Sequence, residues 1–249
     1  MSEEWDFYFC QVDDNPASIF VDLGLHGDVP LAALPNRAYL SVAMRHPRDD
    51  GLSSQEEYKA LEALEDEVRA HLATAETVYV GRNTSDGRRD FWFYTADAAN
   101  WERVASDFMA AFPEYAYDTA AESDPDWAAY LEFLYPNEQG WDFITNRRVC
   151  DSLEAGGDPL TQERDVDHWA YFPDPASREA FVDRVQAMGF QVRNLLPPGE
   201  EDSELGVHLF RRDVPSHRGI HDITVPLLRA AREAGGRYDG WETEQLAAS

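Results

Sequence analysis

The chain has 249 residues, of which 48 are acidic and 21 basic, giving a formal net charge of −27. A field of this sign repels phosphate backbones and anionic lipids, so it disfavours direct nucleic-acid or membrane binding and favours a basic protein partner. Aromatic residues make up 12% of the chain, which indicates a folded protein because acidic disordered chains are poor in aromatics.

The same excess of acids is also typical of a surface that only aids solubility, and this alternative stays open. Cys10 and Cys150 form no C-x-x-C pattern, so neither a disulfide framework nor a zinc cluster is indicated. The amino terminus lacks the basic start of a signal peptide, and no apolar run approaches the about 18 residues of a membrane-spanning helix. We therefore expect a cytoplasmic protein without a cofactor.

The first half of the sequence alternates strand and helix signals. Its residue patterns predict strands at residues 5–12, 17–23, 39–45, 77–84, 89–95 and 115–119. Ser53 or Ser54 offers the N-cap of the first helix, with a glutamate three residues on as its capping-box partner. The apolar stripe predicted for this helix consists of Tyr58, Leu61, Leu64, Val68 and Leu72.

A second helix is predicted at residues 100–112, where Pro113 ends it. Its apolar stripe consists of Trp101, Val104, Phe108 and Phe112. The run Ser85-Asp86-Gly87 is typical of a hairpin turn between two of the strands. Strands interleaved with two helices predict an α+β sandwich, with the helices on one face of a mostly antiparallel sheet.

Two polar clusters in this half have both a functional and a structural interpretation. The Asp-Asp-Gly run at residues 49–51 lacks the ligand spacing of a calcium-binding loop, so an ordinary helix-entry turn is favoured over a metal site. Solvated positions are likewise favoured over a small polar site at the ends of the predicted hairpin, because charged hairpin ends are common. The residues concerned there are Arg82, Arg88, Arg89 and Asp90.

Dispersed positions across the first half carry a family resemblance. They are Trp5, Tyr8, Val21-Asp22, Asp50-Gly51-Leu52, Val80-Gly81-Arg82, Thr84, Arg89-Asp90-Phe91, Tyr94, Asp124-Pro125, Trp127, Tyr130 and Leu134-Tyr135-Pro136. On these positions, residues 3–136 resemble DUF695, a family of unknown function. Ser53 departs from the family pattern, which has proline after Gly-Leu. The resemblance implies a fold for this half without implying an activity.

A polar, turn-rich segment at residues 136–140 marks the boundary between two predicted domains, 1–136 and 142–249. In the second domain, helices are predicted at residues 141–155, from Asp174 or Ser177 to Gly189, and in a stretch ending at Ala234. Strands are predicted at residues 165–172, 190–196, 205–212 and 238–243, with an acidic loop at residues 197–204. From the first of these strands onward the order is β-α-β-β-α-β, which predicts a ferredoxin-like α/β sandwich with both helices on one face.

Motifs of the second half carry a more specific resemblance. They are Gly157-Asp158, Arg164, Val166-Asp167-His168-Trp169, Tyr171-Phe172, Gly189-Phe190, Gly236 and Tyr238-Asp239-Gly240-Trp241. On these motifs, residues 142–243 resemble RraB, the regulator of ribonuclease E activity B. The resemblance implies a ferredoxin-like fold in a small acidic cytoplasmic protein that binds ribonuclease E and restrains RNA cleavage, with no reaction of its own. RraB proteins usually consist of this one domain, so the acidic first domain is a departure that bears on the choice of partner.

His217 and His221 have the spacing of metal ligands on one helix face. Pro226 would clash with a turn already under way, so the helix is predicted to begin near Ile223 or Thr224, with both histidines in the approach loop. Neither a His-Glu-x-x-His motif nor a third ligand accompanies them, and no metal site is predicted.

Asp167 and His168 are a second candidate for chemistry, as an orienting acid and a base. Adjacent strand residues point to opposite faces, so the two side chains are not expected to bond to each other. If Trp169 faces the core, His168 faces away from it, and a structural role is favoured over a catalytic one. The sequence contains no G-x-S-x-G, Walker or G-x-G-x-x-G motif, so no enzyme is predicted.

We therefore expect a protein-binding regulator, an inhibitor or modulator of an RNA-degrading endoribonuclease of the ribonuclease E type. The predicted protein-binding residues are Asp165, Asp167, His168, Asp239 and Glu242. Three alternatives stay open: an acidic mimic of nucleic acid, a general interaction module for another basic partner, and a hydrolase that uses His168. For Asp239, turn chemistry favours a structural role between two packed aromatic residues over contact with a partner.

Overall fold

A computed structural model describes residues 2, 4–199 and 203–247 of the chain. The chain divides into two compact units, Met1–Gly140 and Trp141–Ser249. Both units combine helices with an antiparallel sheet, which confirms the predicted α+β class. None of the described helices is long and apolar enough to cross a membrane. Of the predicted acidic loop at residues 197–204, residues 200–202 lie outside the described part.

The strands of the first unit form one antiparallel sheet. They are β1 (Trp5–Val12), β2 (Asn15–Asp22), β3 (Asn36–Ala43), β4 (Thr77–Ser85), β5 (Arg88–Thr95) and β6 (Tyr117–Ser123). Their order in the sheet is β1-β2-β4-β5-β3-β6. The helices are α1 (Gln55–Leu72) and α2 (Ala98–Met109), accompanied by a 3-10 turn at Leu23–Leu25 and a π-helical segment at Ala129–Leu134.

Local signals set the ends of these elements much as predicted. The turn Asp86-Gly87 joins β4 to β5 with φ angles of 49° and 74°, both in the left-handed region that this kind of hairpin turn needs. Ser54 caps α1 by accepting a hydrogen bond from the Glu57 amide. The Glu57 carboxylate does not complete the capping box. It accepts hydrogen bonds from the amides of residues 45 and 46 instead, at 2.9 and 2.6 Å, and so ties the end of β3 to the helix.

Helices α1 and α2 cover one face of this sheet, as predicted. The stripe of α1 is confirmed except at Tyr58, which is 46% exposed. In α2, Ala105 and Met109 are buried beside Trp101. The other three residues predicted for that stripe, Val104, Phe108 and Phe112, are only partly buried. Phe112 does not belong to the helical stripe, because α2 ends before it, at Met109.

The opposite face is also covered, by residues 124–135, which the sequence did not predict. Trp127 stacks on Tyr94 with ring centroids 3.8 Å apart and donates its indole N–H to the Leu34 carbonyl. Asp124 accepts a hydrogen bond from the Tyr94 hydroxyl at 2.5 Å and others from the amides of residues 128 and 129. A carboxylate and a stacked ring pair therefore fix this segment on the sheet.

The β4–β5 hairpin separates the four charged residues that were predicted to be solvated. Arg88 lies on the same sheet face as Ser41, and its Nε donates a hydrogen bond to the Ser41 hydroxyl at 2.7 Å. The Ser41 hydroxyl in turn donates a hydrogen bond to Asp90. Arg82 and Arg89 lie on the other face, beneath α1. Arg89 is 1% exposed, so the predicted solvated position is wrong for this residue. Strand alternation sends neighbours to opposite faces, and helix packing then buries one of the two faces.

Helix α3 (Glu138–Ala155) starts just before the unit boundary and lies mostly in the second unit. The unit continues through β7 (Arg164–Phe172), α4 (Pro175–Ala187), β8 (Gln191–Leu196), β9 (Leu205–Asp213), α5 (Gly219–Glu233) and β10 (Arg237–Thr243). The sheet order is β10-β7-β9-β8, antiparallel throughout. Phe181 of α4 and Leu227 of α5 share one core with Val166 and Leu209 of the sheet, so both helices lie on the same face. This arrangement confirms the predicted ferredoxin-like fold, to which α3 is added.

The predicted start of the last helix is wrong. Helix α5 begins at Gly219 and contains Pro226 in its interior. Ile220, Ile223 and Leu227 are all buried in the core. Their burial contributes about 1.5–3 kcal/mol each and outweighs the about 3 kcal/mol that an internal proline costs.

Candidate protein-interaction site

The predicted binding residues lie on two paired strands of the second unit. In the register of β7 and β10, Asp167 pairs with Glu242 and His168 with Trp241. Asp165, Asp167 and Glu242 consequently share the sheet face that lies opposite α4 and α5. We call this face the outer face.

The acids of the outer face are largely paired with cations of the same face. Arg193 of β8 reaches both Asp165 and Asp167, through its Nη2 and Nε at 2.6 Å each. His208 Nε2 lies 2.7 Å from the same Asp167 carboxylate oxygen that Arg193 contacts. Glu242 is exposed, and within the described part of the chain its carboxylate has no ion-pair partner. The outer face is therefore less negative than its acids alone indicate.

Asp239 lies at an irregularity of β10, where the register shifts between Tyr238 and Gly240. Its carboxylate pairs with Arg237, which also donates a hydrogen bond to Glu204 at 2.9 Å. The side chain is exposed. Instead of forming the predicted turn, Asp239 lies within strand β10 at this bulge, and its contact with a partner stays a prediction.

Aromatic rings and cations alternate across the outer face. The Trp169 ring stacks on His208 with centroids 4.6 Å apart. The guanidinium of Arg193 lies 3.8 Å from the centre of the Phe210 ring, and that of Arg237 lies 4.5 Å from Tyr171. Aromatic residues and arginine are the types enriched at protein interfaces, where rings supply contact area and guanidinium groups supply directed hydrogen bonds.

His168, although one of the predicted binding residues, does not belong to this face, because Trp169 does not face the core and the condition for an outward His168 is not met. The side chain is 0% exposed, and Trp169 is the residue that faces outward. His168 Nδ1 lies 2.8 Å from the Tyr238 hydroxyl, and within the described residues its Nε2 has no hydrogen-bond partner. Burial, reinforced by Arg211, lowers the pKa of His168 to about 3. The imidazole is therefore neutral and inaccessible to a partner.

Trp241, the last residue of the Tyr238-Asp239-Gly240-Trp241 motif, is fixed by a buried polar network. Trp241 donates its indole N–H to Asn146 Oδ1 of α3 at 2.7 Å. Asn146 Nδ2 donates to Asp142 Oδ2 at 2.9 Å and to Thr224 Oγ1 at 2.8 Å. Thr224 in turn donates to Asp142 at 2.8 Å. This network joins α3, α5 and β10, so Trp241 is held by side chains from two helices.

The sequence missed the two residues that organise these arrangements, Asn146 and Arg193. Asn146 lies in a helix and is 1% exposed, but a single polar residue in a helical pattern resembles an ordinary surface position. Arg193 lies inside the predicted strand at residues 190–196, and no motif marks it. Both act through partners far along the chain, which local patterns do not reveal.

The two candidate metal-binding histidines do not meet. His217 lies before α5, with Nε2 3.1 Å from Glu154 and 3.7 Å from Asp151. These three side chains bring possible ligand atoms within 4.8 Å of one another, but the acids are exposed, as such groups commonly are without a metal. His221 lies inside α5 and stacks on Phe143 with ring centroids 4.4 Å apart. The prediction that both occupy the approach loop is therefore wrong for His221.

Comparison with known families matches each unit to a different profile. Residues 3–135 match the profile of DUF695, a family of unknown function, which covers more than half of the chain. Residues 143–243 match the profile described as regulator of ribonuclease activity B. Among curated proteins, no match was found.

One solved structure with detectable similarity is that of an unknown protein from Galdieria sulphuraria. It is 11% identical in sequence, and the alignment covers 84% of this chain and 97% of the other. Its TM-score is 0.22. A score this low does not indicate a shared overall architecture, so no structural inference follows from it.

Proposed function

This chain belongs to the DUF695 family, and because its second unit matches the regulators of ribonuclease activity B, we propose that it binds and restrains an RNA-degrading endoribonuclease of the ribonuclease E type. The match at residues 143–243 is the observation that supports the proposal most strongly. It spans the ferredoxin-like unit and includes the Tyr238–Trp241 motif with its buried network. In this proposal the protein acts by occupying its partner and carries out no reaction.

The outer face is the surface that we assign to the ribonuclease. It combines half-buried rings with side chains that stacking already orients, the Arg193 guanidinium on Phe210 and the His208 imidazole on Trp169, so little side-chain freedom is lost when a partner docks. The second unit carries 12 basic and 20 acidic side chains, a net charge of −8. That excess speeds the approach of a basic partner, while the aromatic centre of the face supplies the affinity.

The structure supports mimicry of nucleic acid by the acidic surface less well than it supports binding of a basic protein partner. A mimic needs carboxylates free to replace phosphates, whereas Arg193 and His208 occupy Asp165 and Asp167. The hydrolase alternative loses its base, since His168 is buried and bonded to Tyr238.

The proposal is tested by titrating purified full-length protein into purified ribonuclease E and measuring binding at low and at high salt. We expect binding that weakens as salt rises, because part of the attraction is electrostatic. Trp169→Ala is expected to weaken binding about tenfold or more, as the loss of an interface aromatic residue does.

A matched control is Leu195→Ala, which removes an exposed apolar side chain, 55% accessible, from the edge strand β8. It is expected to bind as the native chain does. Absence of binding at low salt contradicts the proposed partner. Equal losses in the two variants contradict the assigned face.

A further inference from the structure

The first unit contains a cleft that the proposed regulatory function does not use. It has a volume of about 690 Å³ and lies between α1 and the β1, β2 and β4 region of the sheet. Phe7, Phe9 and Phe20 line it from the strands, and Tyr58 lines it from the helix. Ligand pockets commonly have volumes of about 300–1,000 Å³ and aromatic walls.

The cleft also contains a buried arginine whose charge is incompletely compensated. Arg89 is 1% exposed, and its Nε donates a hydrogen bond to Thr84 Oγ1 at 3.2 Å. Its Nη1 has no hydrogen-bond partner within the described residues and lies 3.5 Å from Glu65 Oε2. Burial, followed by the repulsion of Arg82, lowers the pKa of Arg89 to about 10. The site therefore holds a cation with an unused donor.

Glu65 cannot satisfy both guanidinium groups. Its Oε2 accepts a hydrogen bond from Arg82 Nε at 2.6 Å, and its Oε1 accepts one from the Tyr79 hydroxyl at 3.0 Å. One carboxylate thus faces two cations, Arg82 and Arg89. A buried charge that must share its counter-ion with a second cation is incompletely neutralised, and this is costly.

A β-bulge places Arg82 in the cleft. The register of β4 and β5 shifts between Tyr79 and Gly81, so Tyr79 and Arg82 point to the same face although they are three residues apart. Gly81 has a φ of 158°, and a Cβ there would lie 2.6 Å from the Phe20 carbonyl oxygen. The glycine permits the close approach of β2 and with it the position of the arginine.

A structured loop completes the rim. The loop at residues 46–53 contributes Arg48 and Leu52, and its backbone is held by a hydrogen bond from the Gly87 amide to the Gly51 carbonyl at 2.9 Å. Four arginines and three acids line the whole cleft, an excess of one positive charge in a chain of net charge −27. The cleft is therefore locally cationic on a strongly acidic protein.

We propose that this cleft binds a small organic anion with a planar ring, whose carboxylate or phosphate pairs with Arg82 and Arg89 while its ring packs against Phe20 and Tyr58. Guanidinium groups bind both kinds of anion through charge-assisted hydrogen bonds. The Arg82 guanidinium already lies 5.2 Å from the centre of the Phe20 ring, so cationic and aromatic contacts are adjacent.

The test is isothermal titration of the full-length protein with matched probes. Adenosine monophosphate carries a ring and a phosphate, and its neutral counterpart is adenosine. 4-Hydroxybenzoate carries a ring and a carboxylate, and its neutral counterpart is phenol. Inorganic phosphate carries the charge without a ring. We expect at least one of the two ring-bearing anions to bind with a Kd below about 1 mM and its neutral counterpart to bind at least about tenfold more weakly. Which of the two binds distinguishes a phosphate ligand from a carboxylate ligand.

Two variants locate the binding. Arg89→Met removes the buried cation and is expected to abolish binding. Arg48→Gln removes a rim cation that is 56% exposed and paired with Asp50, so the fold is retained; because it takes one positive charge from the cleft, it is expected to weaken anion binding about tenfold. The matched control is Arg103→Gln on α2, which breaks an exposed ion pair with Asp107 outside the cleft and is expected to leave affinity unchanged.

Three results overturn the proposal: no binding of either ring-bearing anion, equal binding of the anions and their neutral counterparts, or full affinity in Arg48→Gln. These measurements use the isolated protein without a ribonuclease. Their failure therefore leaves the proposed regulatory function untouched, and failure of that function leaves the cleft untouched.

Discussion

Replacing Asn146 with alanine is expected to destabilise the second unit by about 3 kcal/mol. Asn146 is 1% exposed and forms hydrogen bonds with Asp142, Thr224 and Trp241 at 2.9, 2.8 and 2.7 Å. Each lost bond contributes about 1 kcal/mol, and stranding the buried indole N–H of Trp241 increases the cost, while Thr224 still satisfies Asp142 and limits it.

Hydrogen exchange of the slowest amides in β7 and β10 measures this change, because it reports the opening of the second unit independently of the first. Asn194→Ala, at an exposed asparagine of β8, is the matched control and is expected to change stability by less than about 0.5 kcal/mol.

A double-mutant cycle separates the indole contact from the rest of the network. Trp241→Phe keeps most of the ring and removes the N–H, so combining it with Asn146→Ala is expected to cost about 1 kcal/mol less than the sum of the single changes. If the two changes add fully, or if Asn146→Ala costs no more than the control, the network does not hold the motif as described.

Three further changes probe charge, ion pairing and backbone shape. Folding lowers the pKa of His168 to about 3, from about 6.5 in an unfolded chain. Between these two pH values the unfolded chain binds a proton that the folded chain excludes. The free energy of unfolding therefore falls as the pH is lowered, by at most about 1.4 kcal/mol per pH unit. His168→Gln is expected to flatten the dependence of the urea midpoint on pH across that range. An unchanged slope contradicts the conclusion that the His168 imidazole is neutral in the folded chain. Glu65→Gln breaks a buried ion pair and is expected to lower the free energy of unfolding, measured by urea titration, by about 3 kcal/mol. The control Glu67→Gln, in an exposed pair, is expected to change it by less than about 0.5 kcal/mol. Equal effects of the two changes refute the role of burial. Gly51→Ala places a Cβ 2.8 Å from a backbone nitrogen at a φ of 78°, so a lower melting temperature, corresponding to about 1–3 kcal/mol, is expected, and an unchanged one shows that the loop adapts.

The elements that the sequence predicted well are those set by neighbouring residues. Ser54 caps α1, and Asp86-Gly87 turns the hairpin, because each requirement is met within a few residues. Gly189 and Gly235 follow their helices with φ angles of 88° and 79°, as left-handed helix ends require. The order of such elements was sufficient to indicate a ferredoxin-like unit.

The orientation of β7 was predicted only conditionally on Trp169, although the strand itself carries the deciding signal. Val166, Ala170 and Phe172 share the alternation of His168, and all three are buried. Because a strand has period two, these residues place His168 on the core face and Trp169 on the outer face. The full alternation predicts the observed orientation, and with it the burial of His168.

The cleft of the first unit lies beyond local prediction for a different reason. Without a bulge, Arg82 would point to the same face as Val80, away from Glu65, and no sequence signal fixes the bulge at Gly81. Burial of Arg89 depends on the packing of α1 over a hairpin that follows it in the chain. Contacts of this range arise from the assembled fold.

The most direct test of the regulatory role is the rate at which purified ribonuclease E cleaves RNA, measured with and without saturating full-length protein. The native chain is predicted to lower the rate, and Trp169→Ala is predicted to need about tenfold more protein for the same effect. A cleavage rate that stays unchanged at saturating native protein contradicts the proposed function.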